Sequence, residues 1–208
     1  MPITDQNIIK FFEDLIREKH NLVDSLQNYL LGEDVLNVSS QVDSLWNDVV
    51  QQHVNLGEKL KIIILAESPL DYSKYFYLNQ GTFLESLRDF WGLKKNTELP
   101  DRLLKERVLV LDIYQYPIPS EFYKKDYDFV LFDNDYVEQK LNLLKSKNLI
   151  DDDTQFVFRY KELFNTRKLH KQPALKNLNF VKNAGDLVSL NKKEKPQKLN
   201  DFIAELLR

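Results

Sequence analysis

Two apolar runs constrain the architecture more than anything else in the chain. Residues 61–66, KIIILA, and residues 107–114, RVLVLDIY, are aliphatic at nearly every position and lack polar alternation. Such a run reads as a strand buried on both faces, and doubly buried strands belong to parallel sheets covered by helices on each side. A third run, QFVFRY at 155–160, is a third strand, and Asn179 to Lys182 reads as a short fourth. Between the first two lies a capped helix. Thr82 and Glu85 form a capping box, Phe83, Leu84, Leu87, Phe90 and Trp91 make its buried face, and Gly92 suits its C′ position. Between the second and third, Asp135 and Glu138 form another capping box. It opens a helix through about Lys147 with Val137, Leu141 and Leu144 inward. Strands that alternate with helices are joined by right-handed crossovers. The expected fold is therefore α/β, a three-layer α/β/α sandwich. Its parallel sheet has about four strands, with 61–66 and 108–114 adjacent at the centre.

Residues 1–57 read as helical. Ile8, Ile9, Phe11, Phe12, Leu15 and Ile16 recur at helical spacing behind Thr4 or Asp5 as N-cap. A second helix covers about Asn21 to Leu31. A third starts after Ser39 or Ser40, carries Val42, Leu45, Trp46, Val49 and Val50 on one face, and is closed by Gly57. The aromatics Phe11, Phe12 and Trp46 read as core. At the other end, Asn191 to Lys198 is a charged spacer and Phe202 to Leu207 a short terminal helix. The expected organisation is one domain over 1–208, with 1–57 packed on an α/β core formed by 58–208.

With 208 residues and no cysteine, disulfides, thiolate metal sites and cysteine nucleophiles are excluded. No run of about 18 apolar residues suits a membrane span. The N-terminus carries acids inside its apolar stretch, unlike a signal peptide. A cytoplasmic location is expected. The net charge of −3 hides an asymmetry. Residues 155–208 hold 12 Lys and Arg against 5 Asp and Glu, or +7, leaving −10 on the rest. The basic segment reads either as a solvated lysine-rich surface or as a surface for phosphates, through Arg167, Lys168, Lys171 and Lys176.

Ligands of open α/β sheets sit just past the carboxyl ends of the strands. Glu67-Ser68-Pro69 breaks the first strand there, because proline cannot donate to a ladder and forces Ser68 towards extended backbone. Asp112 lies near the matching end of the second strand, just before the breaker YPIP at 116–119. A carboxylate there is costly unless paired or wet, so it reads equally as a hydrogen-bonded structural residue and as a site residue. Tyr72, Tyr75, Phe76 and Tyr77 follow the first strand. Glycine-rich phosphate loops, the G-x-S-x-G elbow and H-E-x-x-H are all missing. His20, His53 and His170 have no metal-ligand spacing, so no metal and no cofactor are expected.

The central block resembles the uracil-DNA glycosylase superfamily. The resemblance is strongest to a branch whose first motif reads Gly-Glu-Ala-Pro-Gly after a strand. Ala66-Glu67-Ser68-Pro69-Leu70 falls on that motif. The stretch from Tyr75 to Leu84 falls without a gap on the branch's Pro-Phe-Val-Gly-Arg-Ala-Gly and the helix start after it. Leu111 to Pro117 follows the branch's next motif, Thr-Asn-Val-Val-Lys-Cys-Arg-Pro, one residue shorter. The direct match covers about a quarter of the chain.

The resemblance implies a glycosylase-like fold and an extruded base stacked on Phe76. Glu67 would activate water, and Asp112 would read the edge of the base. Ala66, Ser68, Tyr77, Tyr114 and His170 would line the pocket. It implies a hydrolase of DNA repair, with DNA or a nucleobase-containing ligand as partner. Three departures accompany it. Asp112 stands where the family has an amide, and a carboxylate supplies both donor and acceptor only when protonated. The family's late His-Pro-Ser loop is replaced by His170-Lys171-Gln172-Pro173. The cluster-binding cysteines are absent, with Tyr116 at one position. These departures imply weak or no activity on uracil. Two further readings stay open: a non-catalytic binding module of the same fold, and a structural or partner-binding protein.

Overall fold

A computed structural model describes residues 35–67, 77, 82–114, 132–165 and 167–181. The two N-terminal helices, Ser68, Tyr72, Tyr75, Phe76, the spacer at 191–198 and the terminal helix lie outside the described residues. Helix α1 spans Val35–Leu56. It starts a turn before the serines expected to cap it, because the apolar period already runs through Val38 to Val42 and Trp46. Ser39 is consequently inside the helix and buried. Gly57 ends it at φ +72°, a left-handed conformation that suits glycine.

Strand β1, Ile62–Ala66, is followed by α2, Thr82–Phe90, and α3, Leu99–Glu106. Strand β2 is Val108–Asp112, α4 is Asn134–Ser146, β3 is Gln155–Phe158 and α5 is Lys161–Asn165. Helix α3 was not anticipated. Its signals are a proline in the first turn, Leu99 and Leu103 buried one turn apart, and the Arg102–Glu106 pair at 2.6 Å. At α4 the N-cap is Asp133, not Asp135. Its carboxylate accepts from the amides of Asp135 at 2.9 Å and Tyr136 at 3.3 Å. Asp133 holds the extended backbone a cap needs, and Asp135 is already helical.

The three strands are parallel in the order β2-β1-β3. Ile62 pairs with Val108 and Ala66 with Asp112, and Ile62 with Gln155. The expected adjacency of the first two strands is present, but β2 is the outer strand among the described residues. The expected fourth strand contributes a single parallel bridge, Phe156 to Phe180. The Phe156 amide reaches the Asn179 carbonyl at 2.9 Å, and the Val181 amide reaches the Phe156 carbonyl at 2.9 Å.

Side-chain alternation along the strands divides the core in two. Ile63, Leu65, Leu109, Leu111 and Phe156 pack with Trp46 and Val50 of α1 and with Val137, Leu141 and Leu144 of α4. Ile62, Ile64, Val108, Val110 and Val157 pack with Leu84 and Leu87 of α2 and Leu99 and Leu103 of α3. This is a helix–sheet–helix sandwich, as two-sided apolar strands require. No helix among the described residues is long and apolar enough to cross a membrane.

The outer edge of β2 is closed by side chains. The Val110 amide donates to the Tyr77 hydroxyl at 2.7 Å, and the Val110 carbonyl accepts from that hydroxyl at 2.9 Å and from the Trp46 indole at 3.1 Å. Buried His53 hydrogen-bonds the Val108 backbone, and burial pulls its pKa down to about 4. Helix α1 and Tyr77 thus occupy backbone groups that would otherwise template another strand. Tyr77→Phe should cost about 1–3 kcal/mol, because the Val110 amide loses its acceptor. Urea denaturation measures this, and a loss indistinguishable from zero would show the edge to be solvated.

Candidate functional site

The three strands end together. The Ile113 amide donates to the Ala66 carbonyl, the Tyr114 amide to the Glu67 carbonyl, and the Arg159 amide to the Leu65 carbonyl, each at 2.9 Å. This register brings Glu67, Asp112 and Arg159 to one edge, the place where parallel sheets present ligand-binding groups.

Glu67 is anchored. Its Oε1 accepts from Arg167 Nη1 at 3.1 Å, and Arg167 Nη2 reaches the Tyr114 hydroxyl. The Arg167 side chain is only 3 % exposed. Arg167 itself is fixed by a bond from its amide to the Glu162 carbonyl at 2.9 Å, one turn after α5 begins. Burial pushes the Glu67 carboxyl above its ordinary pKa, and Arg167 and Arg159 hold back part of the rise.

Asp112 is different. It is 9 % exposed. Among the described residues no group hydrogen-bonds its carboxyl, and burial pushes its pKa up to about 7 against the pull of Arg159 and Lys140. Lys140, from α4, is itself buried. It pairs with Asp43 of α1 at 2.6 Å and lies over the Trp46 ring, 4.2 Å from its centre. Burial lowers its pKa, while Asp43 and Asp112 raise it.

The other expected residues divide. Ala66 is buried in register with Asp112, and the Tyr114 hydroxyl meets Arg167. The Tyr77 hydroxyl is committed to the β2 backbone, and the residue packs against both halves of the core. His170 stacks on Phe164 with ring centres 4.0 Å apart, within a cluster that includes Phe180. Burial and Lys171 lower its pKa. Lys168 and Lys171 stand exposed on the segment that carries Arg167. Lys176 belongs elsewhere, to a concavity of about 700 Å³ between α4 and residues 173–179, which neither Glu67 nor Asp112 borders. Ser68 and Phe76 lie outside the described residues.

Arg159 and Lys140 were missed as site residues. An arginine directly after the third strand had a positional signal, since it occupies the same edge as the two acids. Lys140 had none, because a lysine in an amphipathic helix reads as surface. Among the described residues no group of His, Asp and Glu could hold a metal ion. Comparison of the chain with protein-family models, curated proteins and solved structures found no match.

Proposed function

We propose that this chain is a divergent uracil-DNA glycosylase-like protein. In this reading the carboxyl edge of β1 and β2 receives a nucleobase from DNA, with weak or no hydrolysis of uracil. The observation that supports it is the convergence of Glu67 and Asp112 at one end of two parallel strands, with Asp112 buried and no hydrogen-bond partner for its carboxyl among the described residues. A base edge would supply that partner. Hydrolysis would need water to attack the sugar carbon as its bond to the base nitrogen breaks, with the bonding electrons leaving on the base. Glu67 is the group for the water. A raised pKa suits a general base.

A second reading is favoured by one contact. The Arg167 guanidinium already satisfies one Glu67 oxygen, which makes the carboxylate a weaker base. A module that binds without catalysis is consistent with this.

The test is binding of single-stranded and uracil-containing DNA by the purified protein, followed by assay of base release. DNA affinity should fall steeply as salt rises, because Arg and Lys neutralise phosphates. Uracil release should be at most weak. Each missing donor that stabilises the leaving base costs about a hundredfold to a thousandfold. Here both the edge-reading amide and the His-Pro-Ser loop are replaced. Robust release abolished by Glu67→Ala would restore a plain uracil glycosylase. Absence of DNA binding at low ionic strength would remove the nucleic-acid reading.

A further inference from the structure

One side chain of the protein itself spans the carboxyl edge of the sheet. Arg167 arrives from the segment after β3. Its guanidinium joins Glu67, at the end of β1, to Tyr114, just past the end of β2. Open parallel sheets take their ligands at that place. Both partners of the ion pair are mostly buried. A buried ion pair is a poor device for stability alone, since apolar residues of similar size often serve better, and its best-attested use is as a register or a switch. The backbone beside it is strained. Lys168 is left-handed, at φ 57° and ψ 34°. Arg107 and Asn148, the other non-glycine residues with positive φ among those described, follow α3 and α4, where a left-handed residue is ordinary. Lys168 instead precedes the 3-10 turn Leu169–Lys171, and a lysine side chain disfavours that conformation. The segment is pinned on both sides of Arg167, by buried Leu163 and Leu169 and by His170 stacked on Phe164. The guanidinium can therefore exchange partners without the segment leaving the sheet.

We propose that Arg167 is a bolt across this edge, drawn by a ligand whose phosphate group takes the guanidinium away from Glu67. This rests on the reading of the same edge as a ligand site. A buried guanidinium is costly without an anion, so the ligand that replaces Glu67 must bring one. The planar fork and the Tyr114 hydroxyl beside it suit the oxygens of a phosphate, whether on a small ester or on a nucleic-acid backbone. Arg159, directly after β3, adds positive charge at the same edge. The released Glu67 carboxylate then takes a donor from the ligand or a proton from solvent. Burial favours the proton, Arg167 and Arg159 oppose it, and Glu162 of α5 favours it. The ligand's anion and the ionised Glu67 compete for one guanidinium, so the anion binds better as pH falls.

The full chain is titrated calorimetrically with inorganic sulfate, which keeps its charge between pH 5 and pH 8 where phosphate titrates, and separately with single-stranded DNA. At pH 8 Glu67→Gln should bind sulfate about tenfold to a hundredfold more tightly than the native protein, because the competing carboxylate is gone. Lowering the pH to 5 should narrow that gap. Lys168, His170 and Lys171 are common to both proteins, so the narrowing isolates Glu67. Adding Arg167→Met to Glu67→Gln should remove the gain. Equal sulfate affinities of the native protein and Glu67→Gln at pH 8 would overturn the bolt, as would a double variant that binds as tightly as Glu67→Gln, or no sulfate binding by any of the three. Should Glu67→Gln fail to fold, the native protein decides alone, and a sulfate affinity that does not rise from pH 8 to pH 5 overturns the proposal. DNA binding without the sulfate effect removes the bolt and leaves the nucleic-acid reading. The sulfate effect without DNA binding does the reverse.

Discussion

Arg167→Ala is expected to destabilise the protein by about 3–5 kcal/mol, the cost of breaking a buried ion pair by removing one partner. The arginine side chain is 3 % exposed, and its guanidinium serves two acceptors, the Glu67 carboxylate and the Tyr114 hydroxyl. Its loss strands a half-buried carboxylate whose pKa burial already raises. As pH falls Glu67 can limit the damage by taking a proton, so the cost should grow as the solution becomes more alkaline. Replacing both partners together, Glu67→Gln with Arg167→Met, should cost less than the arginine change alone, because no isolated charge remains. Urea denaturation at pH 6 and pH 8 measures all of this. A loss below about 1 kcal/mol at pH 8 would place the pair in the class of exposed surface bridges. The double variant also separates architecture from chemistry. If it folds, binds DNA and releases base as the native protein does, the Glu67–Arg167 pair is a clamp joining the ends of β1 and the α5 segment rather than part of a catalytic apparatus.

The elements that could be read from the sequence are those whose signal is local. Ile62–Ala66 and Val108–Asp112 announce themselves because burial on both faces leaves no room for polar residues. Their parallel pairing follows from the helix between them. From those two facts the meeting of Glu67 and Asp112 at one edge also follows, since parallel strands that start level end level. Asp133 was harder. Only Asp135 has a glutamate three positions on, Glu138, while Tyr136 follows Asp133, so the capping-box pattern pointed to the wrong aspartate and only the backbone conformation shows which one precedes the helix. The ion pairs around the edge were out of reach. Arg167 lies 100 positions from Glu67, and Asp43 lies 97 from Lys140. Contacts so distant in sequence are set by how helices settle on the sheet, and a lone lysine or arginine carries no sign of burial. The basic C-terminal quarter shows the same gap. Its residues share a charge but not a place, since Arg167 enters the interior, Lys168 and Lys171 face outward, and Lys176 borders a separate concavity.

Asp112 also links stability to pH, with an effect about as large as that of Arg167. Its carboxyl titrates near 7 in the native protein against 3.8 when unperturbed, so between those values the folded state holds a proton that the unfolded chain has released. Stability from this group is therefore fully present below about pH 4, declines as pH rises, and is gone above about pH 7. The difference amounts to roughly 4 kcal/mol at about 1.4 kcal/mol per pH unit. His53 works in the opposite sense. Its native pKa of about 4 lies below the ordinary 6.5, so folding is favoured as pH rises from 4 to 6.5, and the two slopes oppose each other in the native protein. A simple pH profile would hide both. The difference between the native protein and Asp112→Asn isolates the aspartate, because His53 is common to the two. Asp112→Asn should gain on the native protein steadily from pH 4 to pH 7, ending roughly 4 kcal/mol further ahead at pH 8, and the gap should then stop growing. Denaturant titrations at pH 4, 6 and 8 are sufficient. A gap that does not change with pH would mean that Asp112 is as well solvated as a surface carboxylate, and the argument for a ligand at that edge would lose its physical basis. A gap of the expected size would mean that the fold maintains a carboxyl at a cost an asparagine would avoid, which is the signature of a residue kept for what it binds.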